Sequence, residues 1–253
     1  MTPALIYHDV AAPGEADEVG FPGRLAGRYK HAPEVFERHL DAVAATERRV
    51  GLLDAGADVA LTFDDGGASA MDIADRLERR GWLGYFFVTT GRIDTPGFVT
   101  RDQVRELVSR GHVVGSHSHT HPAYMGRLTA GELRREWVQS RDRLAEILGR
   151  PPGTAAVPGG FLSRTVIEEA ARAGYALLMT SQPSARAHRR DGMTVQGRYT
   201  IWSDTPPATA AAYARGALAA RARLWTEWQL KGAAKRMSPR VYDRLRRVRA
   251  GGA

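Results

Sequence analysis

Short apolar segments alternate with amphipathic segments along the first 202 residues of the 253-residue chain. Helical periodicity and capping residues predict helices between the apolar segments. This βαβα order predicts an α/β fold with a mostly parallel sheet, either an open doubly wound sheet or a barrel. About seven strands favour the barrel, which could be incomplete. The predicted strands are residues 4–8, 58–63, 84–90, 112–116, 154–157, 175–180 and 193–202.

Basic residues are concentrated at the C-terminal end. Residues 205–253 contain eleven Lys or Arg and two acidic residues, a net charge of +9, whereas residues 1–204 are nearly neutral. We therefore predict a barrel domain over residues 1–204 and a basic helical extension over residues 205–253, with helices at 209–230 and 238–248. The extension either packs on the barrel with a solvated basic face or contacts an anionic membrane surface or polymer. Nucleic-acid binding is not expected, because the basic residues are confined to the extension.

The chain has no cysteine, so disulfides and thiolate metal sites are excluded. Any metal must bind to His, Asp or Glu side chains. No stretch approaches the roughly 18 apolar residues of a membrane-spanning helix. The first ten residues lack the basic and apolar regions of a signal peptide, so a cytoplasmic protein is expected.

Two clusters of polar residues follow predicted strands. In TFDDGG (62–67), one aspartate could cap the next helix, which leaves the second aspartate of the pair Asp64–Asp65 unexplained. In GSHSHTHP (115–122), an extended chain would point all three histidines the same way, whereas a helical turn would bring His117 and His121 together and turn His119 aside. Two imidazoles and one carboxylate can hold Zn²⁺ or Fe²⁺ and leave positions for water. The two clusters together predict a metal-dependent hydrolase site.

Three motifs carry a resemblance to a known family. They are TFDDG at 62–66, the H-S-x-x-H-P pattern at 117–122, and the Pro-Gly-Gly turn at 158–160. With them, residues 4–200 resemble the polysaccharide deacetylase family, which is carbohydrate esterase family four. The resemblance implies a distorted (β/α) barrel of seven parallel strands and a single divalent metal ion. Zinc is expected, with iron, cobalt, nickel and manganese as alternatives.

The resemblance also implies a role for each motif residue. Asp65, His117 and His121 would bind the metal, His119 would not be a ligand, and Asp64 would be the general base. The third motif would supply a backbone N–H for the oxyanion, at Gly159 in this chain. The residues alone indicate only a turn there.

The chain departs from the family pattern in three places. Ala156 stands where an arginine usually supports the base, residues 179–183 lack the usual acidic and aromatic groups, and the strand at 197–202 has no histidine to act as general acid. We expect Arg198 to supply the guanidinium beside Asp64. We expect His8, at the end of the first strand, to be the acid, with Asp9 orienting it or raising its pKa. His188 is a weaker candidate for the acid because three arginines lie near it in sequence.

The expected function is hydrolysis of acetyl groups from an N-acetylated glycan or glycan precursor, so an acetylated carbohydrate is the expected partner. An O-deacetylase or a small-molecule amidase on the same scaffold is an alternative. The absent histidine favours O-acetyl substrates slightly, because an alkoxide leaves more readily than an amide anion. A catalytically weak homologue that only binds carbohydrate is a third possibility, which the intact first two motifs disfavour.

Overall fold

The computed structural model describes residues 2–160 and 162–237. Nine short strands in this part of the chain form one sheet. They are β1 (Ala4–Tyr7), β2 (Ala60–Phe63), β3 (Tyr85–Val88), β4 (Val113–Ser116), β5 (Thr154–Ala156), β6 (Leu177–Met179), β7 (Ala187–Arg190), β8 (Met193–Gln196) and β9 (Tyr199–Thr200).

The strand order shows how the sheet curls. The order is β7-β8-β6-β5-β4-β3-β2-β1-β9, and every pairing is parallel except that of β7 with β8. β8 pairs with β6 near one edge, while β9 pairs with β1 at the other edge. Only Gly197 and Arg198 separate β8 from β9, so one continuous segment of the chain pairs near both edges of the sheet. The expected distorted barrel is thus confirmed, and the seventh predicted strand is the segment that joins its edges.

The strand count differs from the prediction in two places. The predicted strand at 193–202 is divided into β8 and β9. β7, which sequence periodicity did not indicate, forms an antiparallel hairpin with β8 around Asp191 and Gly192, both at positive φ. An Asp-Gly pair is a strong hairpin signal. The largely exposed, arginine-rich β7 has no apolar alternation that would reveal it.

The helices that flank the strands follow the predicted order. They are α1 (Arg24–Gly27), α2 (Pro33–Ala44), α3 (Ala70–Glu78), α4 (Arg101–Ser109), α5 (Ala130–Leu148), α6 (Arg164–Arg172), α7 (Pro207–Ala214) and α8 (Leu218–Met237). Thr100 and Thr129 form capping boxes with Gln103 and Glu132. α2 ends at Ala44, and the chain then turns, because Glu47 adopts a left-handed conformation and Val50 bridges to Val59.

Side chains on one face of the strands form a small apolar cluster. It contains Ala4, Ala60, Tyr85, Phe87, Ala156 and Met179. These residues come from five strands, so they fill the interior of the barrel. The larger clusters lie where the strands pack against the surrounding helices.

The predicted boundary between residues 204 and 205 does not coincide with a break in packing. Ala210, Tyr213 and Ala214 of α7 belong to the same apolar cluster as residues of β1 and α2, and the Tyr213 ring stacks on Tyr199 at 5.1 Å. The single helix expected at 209–230 is two helices, because Gly216 adopts a positive φ between α7 and α8. The helix expected at 238–248 lies outside the described residues. None of the described helices is long and apolar enough to cross a membrane.

Candidate metal centre and active site

The polar motifs follow the carboxyl ends of neighbouring strands. Asp64 and Asp65 come directly after β2, and His117 comes directly after β4. β3 separates these two strands in the sheet, and all three run parallel. Parallel strands end at the same side of a barrel, where the loops of such folds form their sites. The sheet register therefore brings the two motifs together.

The aspartate motif makes a strained turn. Asp65 has φ of 79°, a left-handed conformation that costs a non-glycine residue about 1–3 kcal/mol. Gly67 is required by its surroundings, since a Cβ atom there would lie 1.9 Å from Oδ1 of Asp9. The turn leaves both aspartate side chains buried, so helix capping does not account for them.

The histidine motif forms the turn rather than the extended chain. The Ser118 hydroxyl accepts a hydrogen bond from the His121 N–H at 3.1 Å. One oxygen of the Glu136 carboxylate accepts from the N–H groups of His119 and Thr120, at 2.9 and 2.8 Å. The rings of His117 and His121 consequently lie 5.0 Å apart.

Asp65, His117 and His121 converge on one point. One ligand atom from each lies within 4.8 Å of the others. The Nε2 atoms of His117 and His121 lie 3.4 and 3.3 Å from Oδ1 of Asp65. That oxygen is buried and has no well-aligned hydrogen bond among the described residues. A buried carboxylate oxygen between two imidazole nitrogens fits a divalent cation.

The tautomer of His117 fits the same interpretation. Its Nδ1 lies 3.0 Å from the Ala156 carbonyl oxygen, which can only accept. Nδ1 is therefore the donor, and Nε2 of the neutral ring presents a lone pair toward Asp65. His119 is turned away, with its Nδ1 3.0 Å from the Thr90 hydroxyl.

Asp64 is paired with Arg198. The guanidinium donates from both terminal nitrogens to the two oxygens of the Asp64 carboxylate, at 2.6 and 2.8 Å. Burial by itself would raise the pKa of Asp64, but Arg198 and His117 outweigh burial and hold it below its usual value. Arg198 is fully buried, and the structure brings it to the position expected from the sequence.

His8 lies near the same carboxylates. The charges of Asp65 and Asp64 act on the pKa of His8, although burial is the larger effect and lowers that pKa. Its ring packs on Tyr29 at 4.3 Å, and its Nδ1 is buried without a hydrogen-bond partner among the described residues.

Asp9 does not orient His8 as the sequence suggested. Oδ1 of Asp9 instead accepts a hydrogen bond from the Ser69 hydroxyl at 2.7 Å. Burial raises the pKa of Asp9 itself to about 7. The bond from Ser69 opposes that rise but does not cancel it, so Asp9 is a weak source of the negative charge that was expected to raise the pKa of His8.

The Pro158–Gly160 turn follows β5. Gly159 has φ of 62° and ψ of 2°, a left-handed conformation that a glycine adopts without strain. Close packing also explains Gly160, where a Cβ atom would lie 1.9 Å from the Ser181 hydroxyl. His188, the weaker candidate for the acid, is exposed on β7.

Two contributors to the site had no clear signal in the sequence. Glu136 lies in the middle of α5, where a carboxylate ordinarily faces solvent. The carbonyl of Ala156 is a backbone group, so no residue type could have indicated it. Both orient the histidine motif through hydrogen bonds between segments distant in sequence.

Comparison with known proteins identifies the family of the chain. Residues 54–178 match the family model described as polysaccharide deacetylase. The chain therefore belongs to the polysaccharide deacetylase family, a family of hydrolases.

Individual relatives cover only part of the chain. It is 33% identical over 114 residues to the peptidoglycan-N-acetylglucosamine deacetylase PgdA of Listeria monocytogenes, which is 44% of this chain and 23% of that protein. It is 31% identical over 122 residues to an uncharacterized 30.6 kDa protein of Geobacillus stearothermophilus, which is 47% of this chain and 44% of that protein. The chain thus spans less than half the length of either relative.

Solved structures share the fold over a larger part of the chain. A polysaccharide deacetylase from Bacillus cereus gives a TM-score of 0.70 at 20% identity, covering 84% of this chain and 68% of its own. IcaB from Ammonifex degensii gives 0.66 at 24% identity, covering 85% and 97%. Similarity at this level establishes the fold, while function depends on the residues of the site.

Proposed function

We propose that the protein is a metal-dependent hydrolase that removes acetyl groups from an N-acetylated glycan or glycan precursor. The observation that carries this proposal is a buried carboxylate, Asp64, held by Arg198 beside the convergent set of Asp65, His117 and His121. Family membership and the name of the Listeria relative support the same reaction class.

Asp65, His117 and His121 would hold one divalent cation, with zinc the expected metal. Such a cation lowers the pKa of a bound water toward about 7 and polarises a carbonyl group. Hydrogen bonds within the protein orient these ligands before a metal binds. The Ala156 carbonyl fixes the tautomer of His117, and Glu136 fixes the turn that carries His121.

Asp64 would act as the general base. Its oxygen Oδ2 lies 3.9 Å from Nε2 of His117, so the carboxylate borders the ligand set without belonging to it. Arg198 keeps Asp64 ionised despite its burial, which is the state a base requires. The bidentate pairing also fixes the orientation of the carboxylate, and Asp64 can then accept a proton from the attacking water.

The remaining groups would act on the oxyanion and the leaving group. The Gly159 N–H would stabilise the negative charge that develops on the acetyl oxygen. His8 would donate a proton to the departing nitrogen, which an amine leaving group needs. His8 and Asp64 line the same small cavity, which supports the assignment of His8 to this site.

Metal binding tests the ligand set. We expect the metal-free protein to bind one Zn²⁺ per chain by isothermal titration calorimetry. His121→Ala should weaken binding by more than the roughly 10- to 100-fold typical of a residue that only supports a ligand. His119→Ala is the matched control, two residues away, and should bind zinc like the wild type. Equal losses in both variants would contradict the ligand assignment.

Acetate release from a panel of N- and O-acetylated glycans tests the reaction. We expect release from N-acetylated substrates, and we expect Asp64→Asn to lower the rate by about 10²- to 10⁴-fold. Metal content measured on the same samples separates loss of the base from loss of the metal. Wild-type turnover by a metal-loaded Asp64→Asn protein would exclude Asp64 as the base, and release from O-acetylated glycans alone would replace the proposed substrate.

A further inference from the structure

Two series of contacting aromatic rings lead away from the site residues, with tilted, edge-on and stacked contacts; we call them the two aromatic stacks. The first begins at His121, whose ring lies 4.7 Å from that of Phe21, and Phe21 meets Phe98 at 5.0 Å. The second begins at His8, whose ring lies 4.3 Å from Tyr29, and Tyr29 stacks on Trp202 at 4.5 Å.

Each stack ends in an arginine. The Cζ atom of Arg92 lies 5.5 Å from the centre of the Phe21 ring and 5.8 Å from that of Phe98. The Cζ atom of Arg28 lies 4.8 Å from the centre of the Trp202 ring. Arg92 is exposed and Arg28 is partly exposed, so both can meet a molecule that enters from solvent.

Neither arginine is neutralised within the described residues. No carboxylate there lies within 4.0 Å of the guanidinium of Arg28 or Arg92, whereas Arg76, Arg80 and Arg110 on the outer helices each contact two or more carboxylates. A guanidinium that rests its face on an aromatic ring keeps the N–H groups along its edge available. Those donors match the spacing of carboxylate and phosphate oxygens.

We propose that Arg28 and Arg92 bind anionic groups on the substrate, so that the protein acts on an acidic glycan in preference to a neutral one. This inference rests on the proposed function and narrows its substrate class. The acidic groups would be carboxylates or phosphates on the sugar that carries the acetamide or on its neighbours. The aromatic stacks fix the two positive charges at set positions relative to His8 and His121.

Binding to an inactive protein tests the charge preference without catalysis. The Asp64→Asn protein would be titrated with N-acetylated chitotetraose, with the same oligosaccharide oxidised to carboxylates at C6, and with it phosphorylated at C6. We expect both anionic forms to bind more tightly than the neutral form, with an advantage that declines as salt is raised. The anionic oligosaccharide that binds more tightly shows whether a carboxylate or a phosphate is the preferred acidic group. Equal affinity for all three would overturn the proposal.

Arginine variants assign the preference to these two residues. Arg28→Gln and Arg92→Gln should each lower the ratio of anionic to neutral affinity by about 3- to 5-fold, and the double variant by about 10-fold. The lysine variants should keep part of the preference, because they retain the charge and lose the bidentate geometry. Arg48→Gln is the matched control, since Arg48 is exposed, has no ion pair among the described residues, and lies on the loop that precedes β2, at the opposite end of the barrel.

A preference that survives in the double variant, or falls equally in Arg48→Gln, would overturn the assignment. Acetate release by the wild type is measured separately on the same three oligosaccharides. An absence of release from all of them would contradict the proposed function. Because binding is measured on the inactive variant, that result is distinguishable from failure of the charge proposal.

Discussion

Arg198 meets the condition under which a buried charge is tolerated. Its guanidinium donates to Asp64, to the Thr62 hydroxyl at 2.9 Å and to the Thr180 carbonyl at 3.3 Å. A buried ion pair is costly to break, by about 3–5 kcal/mol, because the remaining charge loses its partner. Arg198 also lies over the Phe87 ring at 5.4 Å, at the end of the apolar cluster that fills the barrel. One side chain thus links the barrel interior to the proposed base.

His8 carries the first prediction at the level of single residues. If His8 protonates the leaving group, His8→Ala should lower the turnover of an N-acetylated sugar by about 10²- to 10⁴-fold. Turnover of an activated acetate ester should fall much less, because its leaving group departs without a proton. The measurement is kcat on both substrates with metal content matched to the wild type. Equal losses on both would show that His8 shapes the site and does not donate a proton.

Residue types and spacing predicted that the aspartate pair and the histidine cluster form one metal site, and the family resemblance selected Asp65, His117 and His121 as ligands and Asp64 as base. The structure brings these four residues together. Arg198 was expected beside Asp64 because Ala156 stands where the family usually has an arginine. The hydrogen bond that the Asp9 carboxylate accepts was not predictable, because its donor, Ser69, is distant in sequence. The local sequence indicates the chemistry of each motif. It does not indicate which side chains of different loops form hydrogen bonds with one another.

At the level of secondary-structure elements, the connection between β1 and α2 forms one wall of the site. It spans residues 8–32 and contributes His8, Phe21 and Tyr29. It contains only the short helix α1, so periodicity could not predict its path. Lys30 holds much of it in place, with its ammonium donating to the carbonyl oxygens of Ala16, Val19 and Phe21.

Lys30 carries the second prediction. Lys30→Met should keep most of the apolar contact of the side chain but leave three carbonyl groups without their donor. Hydrogen bonds to charged groups contribute about 1.5–3 kcal/mol each, but the three contributions are not additive and water can bind the carbonyl groups that Lys30 leaves. We therefore expect a loss of about 3 kcal/mol in the free energy of unfolding, less than the sum of three bonds. Limited proteolysis should then cut within residues 11–23 sooner than in the wild type.

Arg48→Met is the control for Lys30→Met, since it also exchanges a long cationic side chain for methionine but at an exposed position. It should change neither stability nor the cleavage pattern. Wild-type stability in Lys30→Met would show that the connection is held by its aromatic contacts and not by the ammonium group.

Element order was predictable from the sequence where burial imposes a regular pattern. The strands β1 to β6 are mostly apolar on both faces, and each was predicted to within a few residues. The division of the last strand was not predictable, because it depends on which sheet edge each half meets. The strand divides at Gly197, where the chain packs closely on a neighbouring loop. A Cβ atom on Gly197 would lie 2.5 Å from the Gln182 carbonyl oxygen.

At the level of the whole molecule, two histidines connect the region of α2 to the segment that follows β9, the last strand. Nε2 of His31 donates to the Trp202 carbonyl at 3.0 Å, and Nε2 of His39 donates to the Thr205 carbonyl at 2.8 Å. The two rings lie 5.2 Å apart in the interior. Removal of residues from 205 onward would therefore disturb the barrel as well as the basic extension.

The buried histidines make the stability of the molecule depend on pH. Burial lowers the pKa of His31 from 6.5 to about 4, and it lowers the pKa of His39 as well. Between pH 4 and 6.5 the unfolded chain therefore binds more protons than the folded protein. Stability is fully present above pH 6.5 and is lost as the pH falls toward 4.

Urea denaturation at pH 7.5 and pH 5.0 measures this effect. The pKa shift of His31 predicts that the wild type loses about 2 kcal/mol of unfolding free energy between these two values through this residue alone. His31→Gln can retain the hydrogen bond to Trp202 but has no group that titrates, so its loss should be smaller by about that amount. His188→Gln, at an exposed position on β7, should behave like the wild type. If all three proteins lose the same free energy, acid sensitivity arises from other groups, because a histidine buried in its neutral form must otherwise favour unfolding as the pH falls.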